Sequence, residues 1–76
     1  MELKEFIENF ADQFDDTDVS ELSAETKFKE LGEWSSLVAL SVIAMVDEEY
    51  DVALKGDDIR NAETIQDLFN VIESRA

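Results

Sequence analysis

The sequence predicts an all-α fold: a small four-helix bundle of three main helices and one short helix, with a long loop between the first two helices. Three observations point there. Apolar residues recur at spacings of three and four near both ends of the chain. The central apolar segment, Leu37 to Val46, is well short of the ~20 residues a membrane span needs. Proline, which interrupts helices, is absent. With 76 residues the chain is long enough for one domain and too short for two, so residues 1–76 read as a single domain. A chain of this size buries only about 60% of the surface it exposes unfolded, so most apolar positions must serve the core.

In the first helix, Leu3, Phe6, Ile7, Phe10 and Phe14 share one face, while Glu2, Lys4, Glu5, Glu8 and Asp12 take the other. From Asp15 to Glu33 the chain is polar, punctuated by Val19, Leu22, Phe28 and Leu31. Four large apolar residues are not left in water, so this connection is expected to pack over the bundle. Gly32 is expected to supply a permissive backbone before the next element.

The second helix is expected from Ser36 to Tyr50, with Ser35 as its N-cap, because a serine hydroxyl accepts from the free amides of the first turn. Its sequence is apolar nearly all round, which predicts a central helix packed against the other three. So short a chain has too few neighbours to cover every side of it, leaving one or two apolar positions near Ser36 for a partner. A third helix, Asp57 to Asn61, follows Gly56 and turns Ile59 inward. The last begins near Thr64, where Thr64 and Asp67 form a capping pair, and Ile65, Leu68, Phe69 and Ile72 make its buried stripe.

Composition narrows the function. At 45% hydrophobic and 34% charged the chain is globular. Twenty acids against six bases leave a net charge of -14, which repels nucleic-acid phosphates and anionic lipids and attracts basic protein surfaces. Nucleic acid and stable membrane insertion are therefore excluded, and a monomer with basic partners is expected. Cysteine and histidine are both absent, which removes disulfides, thiolate metal sites, thiol catalysis and the commonest general base. The chain is expected not to be an enzyme. Met1 to Glu5 lacks the basic and apolar regions of a signal peptide, so a cytoplasmic protein is the expectation.

The most informative stretch is Phe28-Lys29-Glu30-Leu31-Gly32-Glu33-Trp34-Ser35-Ser36-Leu37, where two serines open the most apolar segment of an acidic chain. A serine there can keep its hydroxyl in solvent, either as a helix cap alone or as a point of covalent attachment. Around it run a Phe-rich first helix, a loop ending in Phe28…Leu31-Gly32, and a helix opening at Ser36-Leu37 and ending Asp47-Glu48-Glu49-Tyr50. Leu54, Ile59, Ala62 and Ile65 follow. In this pattern the chain resembles the acyl carrier protein family, the phosphopantetheine-binding carrier domains, over nearly its whole length.

The resemblance implies that Ser36, matching the serine of the family's Asp-Ser-Leu motif, receives 4'-phosphopantetheine from coenzyme A through a separate phosphopantetheinyl transferase. It implies a non-catalytic carrier that holds acyl or related intermediates as thioesters and meets acyl-loading and acyl-processing enzymes with basic patches. By the same resemblance Asp47 and Glu48 are candidate contacts for those enzymes, with Leu37 and Met45 at the apolar centre. Val46, Leu54, Ile59, Ala62 and Leu68 match positions lining the family's acyl-chain pocket. The chain departs from the family where Ser35 replaces the usual aspartate and where Val38 and Ser41 are uncharged, so a partner interface less charged near the serine is expected.

Two other classes fit parts of the sequence. Asp16-Thr17-Asp18-Val19-Ser20 suggests a calcium-binding hand, but Glu21 stands where that loop needs glycine and Lys27 where it needs a bidentate glutamate. An acidic helical interaction module without a prosthetic group, an inhibitor or charge mimic, fits the composition and the bundle. It gives no reason for the family-like continuity around Ser36.

Overall fold

The computed structural model describes residues 2–76. Its elements are α1 (Leu3–Ala11), α2 (Ser36–Tyr50), α3 (Gly56–Asn61) and α4 (Ile65–Arg75), with two 3-10 turns, Val19–Glu21 and Phe28–Glu30, inside the long connection. The all-α expectation holds, and the radius of gyration is 11.0 Å.

The core is aromatic where α1 meets its neighbours. Phe6, Phe10 and Phe28 are fully buried, and Phe6 packs against Phe69 of α4 at 5.7 Å and Tyr50 of α2 at 6.0 Å between ring centroids. Each such side chain contributes roughly 1.5–3 kcal/mol through the apolar area it removes from water. The rest of the core is mainly aliphatic: Val42, Met45 and Val46 from α2, Ile59 from α3, and Ile65, Leu68 and Ile72, which with Phe69 make the expected stripe of α4. Phe14 is buried as the periodicity requires, although α1 ends at Ala11 and the phenylalanine lies in the turn beyond it.

Helix α2 gives Val42, Met45 and Val46 to the core, while Leu37 and Leu40 stay exposed, so one side of it is uncovered.

The connection is fastened to the bundle by hydrogen bonds as well as by Leu22 and Phe28. Ile65 N–H donates to the Thr26 carbonyl at 3.1 Å and Gln66 N–H to the Ala24 carbonyl at 2.9 Å. Asp67 N–H donates to Thr64 Oγ1, and the Asp67 carboxylate accepts from Thr64 N–H, both at 3.1 Å. The first turn of α4 thus spends its free amides on the loop and its own cap.

Three local expectations are corrected. Val19 is 40% exposed rather than packed on the bundle, because a 3-10 turn braced by the Glu21 carboxylate on Asp18 N–H (2.9 Å) turns Leu22 inward instead. Gly32 has no positive φ, and a Cβ there would meet nothing within 4 Å, so its conformational freedom is not used. Helix α3 starts at Gly56, one residue earlier than expected. Among the described residues the one in the left-handed region is Asp51, at φ 56°, which ends α2 with its N–H on the Asp47 carbonyl at 3.1 Å.

Candidate functional site at the start of the second helix

Ser35 and Ser36 divide the work at the head of α2. Ser35 is extended (φ -156°, ψ 171°), and its Oγ accepts from Val38 N–H at 3.3 Å while its carbonyl accepts from Ala39 N–H at 2.9 Å. That is the N-cap the sequence predicted. Ser36 is the first helical residue and is exposed. Its hydroxyl is not the cap, and among the described residues it has no hydrogen-bond partner.

The neighbouring amides are likewise open. Among the described residues, nothing accepts from the N–H groups of Ser36 or Leu37, in contrast to the spent first turn of α4. A 15-residue helix aims its positive dipole end at this point, and free amides there favour an anion. With serine at position 35, no carboxylate adjoins Ser36 to oppose one.

The chain is pinned on both sides of the connection just before the cap. The Glu33 carboxylate accepts from Asp15 N–H at 3.2 Å, Asp16 N–H at 3.0 Å and the Thr17 hydroxyl at 2.6 Å. The Thr17 hydrogen bond leads the causes that hold the Glu33 carboxyl below its ordinary value. The next residue, Trp34, lies half-buried against Phe28 at 5.0 Å and parallel to Phe10 at 6.4 Å.

Downstream of Ser36, Leu37 and Leu40 are 74% and 63% exposed, and Ala44, Asp47 and Glu48 are exposed as well. Steps of three and four put these residues on one stripe, apolar near the serine and acidic beyond it. The sequence does not single out Leu40, since an all-round apolar helix does not show which side is left bare. Met45 is corrected: it is 6% exposed and belongs to the core, not to this stripe. Val46, Leu54, Ile59, Ala62 and Leu68 are buried, each between 0% and 6% exposed, and belong to the one core cluster. A surface groove of about 480 Å³ lies elsewhere, between α1 and the loop, and includes Leu3, Ile7, Val19 and Leu22 in its lining.

Fold and site define the class: a small acidic helical domain presenting an unengaged serine hydroxyl at a helix start, beside an exposed apolar stripe. Residues 4–72 match the family model described as the phosphopantetheine attachment site, and the chain belongs to this family of acyl carrier protein-type carrier domains. Its members carry 4'-phosphopantetheine covalently. Comparison with curated proteins and with solved structures gave no match. No helix among the described residues is long and apolar enough to cross a membrane.

Proposed function

We propose that this domain is a non-catalytic, cytoplasmic acyl carrier, modified at Ser36 by a phosphopantetheinyl transferase, that delivers acyl or related intermediates to partner enzymes. The observation that carries the reading is the division of labour between the serines. Ser35 caps the helix, which leaves Ser36 exposed at its head with no structural duty, in a chain that matches the family from residue 4 to residue 72.

The residues present fit the prosthetic group. The Ser36 hydroxyl would accept it, and the unpartnered amides of Ser36 and Leu37 would face its phosphodiester at the positive end of α2. When bound, the group supplies the thiol that the chain lacks, and with it thioester chemistry. Leu37 and Leu40 give a partner an apolar contact close to the attachment point. Asp47 and Glu48 offer charge to basic patches further along the stripe. The packed cluster of Val46, Leu54, Ile59, Ala62 and Leu68 is where a short acyl chain would be sheltered.

Intact mass after incubation with coenzyme A and a broad-specificity transferase tests the assignment. Wild type is expected to gain one phosphopantetheine and Ser36→Ala none, with Ser35→Asp also modified. Retained loading in Ser36→Ala would refute the site. No loading of any form, beside a control carrier that is modified, would favour an interaction module without a prosthetic group.

A further inference from the structure

Glu33 links the loop's distant beginning to the serine junction. It meets the chain at Asp15 and Asp16, two residues that are themselves acidic, where another negative charge is electrostatically unfavourable. Hydrogen bonding, not ion pairing, holds it there. Its two oxygens accept from two consecutive backbone amides and one hydroxyl, 16 to 18 residues away in sequence. A carboxylate can accept all of these bonds, whereas a side-chain amide has one accepting oxygen.

The consequence falls on the next three residues. Trp34 is packed on Phe10, Phe14 and Phe28, Ser35 caps α2, and Ser36 follows. Glu33 and Trp34 thus tie the strand of chain that leads into α2 at two successive positions, one polar and one aromatic. The two backbone donors are exposed and the Thr17 hydroxyl is part-buried, so water can replace the carboxylate at the amides when it is removed, and the fold is expected to be retained.

We propose that Glu33 is a positioning residue for the modification of Ser36: its clasp on Asp15, Asp16 and Thr17 sets the path of the chain that presents the serine hydroxyl to the transferase. This rests on the reading of Ser36 as the attachment serine. The clasp touches neither the apolar stripe nor its acids, so it governs the placement of the nucleophile and not the docking of the enzyme.

The test is steady-state loading kinetics of wild type, Glu33→Ala, Glu33→Gln, Thr17→Val and the double variant Thr17→Val/Glu33→Ala, with backbone amide exchange measured on each. Glu33→Ala is expected to lower kcat by about 10- to 100-fold with KM unchanged, the signature of a misplaced reacting group. Glu33→Gln recovers part of the rate. Thr17→Val adds little once Glu33 is gone, because the two act through one bond. Exchange at Val38 and Ala39, whose N–H groups donate to Ser35, rises in Glu33→Ala while Leu68 and Ile72 in α4 stay protected. A Glu33→Ala protein that loads at the wild-type rate overturns the proposal, as does a loss seen wholly in KM or shared by Leu68 and Ile72. Failure of wild type itself to load refutes the reading of Ser36 instead.

Discussion

Arg75 closes both terminal guanidinium nitrogens on the Asp58 carboxylate, at 2.7 and 2.8 Å, and so ties the last turn of α4 to the short helix α3. Six residues make too short a helix to persist alone. This fork, the burial of Ile59, and the Lys55 N–H on Asp58 at 2.9 Å keep α3 in place.

Asp58 should therefore report on acid stability. The Arg75 hydrogen bond, followed by that from Lys55 N–H, holds its carboxyl below the usual range. A carboxyl depressed in the folded state stabilises fully above its unfolded value near 3.9, and that contribution is lost as pH falls through the lower folded value. Asp58→Asn is expected to lower Tm at neutral pH and to flatten its decline at acid pH. Melting curves between about pH 5 and pH 2 decide this; a variant with the same acid slope as wild type would show that the pair is inert.

Ser35→Ala removes the cap of α2 and nothing buried. The expected cost is about 0.5–2 kcal/mol, toward the lower end because the bond is long at 3.3 Å. Denaturant unfolding measures it, and an unchanged midpoint would mean that the serine hydroxyl contributes nothing to the helix start.

Leu37→Asp and Leu40→Asp alter residues that are 74% and 63% exposed, so stability should stay within about 0.5 kcal/mol of wild type. If the stripe is a docking face, each raises KM for loading severalfold. Met45→Asp acts in the opposite way, because it puts a charge into the core and destabilises or unfolds the domain. Equal effects on folding from Leu40 and Met45 variants would contradict the exposures described above.

The net charge of -14 meets few internal cations, two close ion pairs being Asp57–Arg60 at 2.6 Å and Asp58–Arg75 at 2.7 Å. Salt and divalent cations should therefore raise Tm by screening repulsion among the acids. A Tm indifferent to both would show that the acids are too far apart to matter.

What the sequence revealed and what it hid have physical causes. Spacings of three and four placed Phe6 and Phe10 in α1 and Ile65, Leu68 and Ile72 in α4, because a two-sided pattern names its own buried side. Thr64 with Asp67, and Ser35 before an apolar run, announced helix starts for the same local reason. Helix α2 carries no such contrast, which is why its sequence does not distinguish the buried Met45 from the exposed Leu40. Val19 and Leu22 sit three residues apart in the loop, and only the 3-10 turn decides which faces inward. The clasp of Glu33 joins residues 16 to 18 positions apart, a relationship that local pattern does not record.

Trp34 is the chain's only tryptophan, and it stands two residues before Ser36 with its indole half-buried among three phenylalanines. Its emission therefore originates from one place, so the domain carries a built-in optical gauge of the serine junction. Modification, partner docking or loosening of the loop can each be followed by colour and intensity in real time, without attaching a dye.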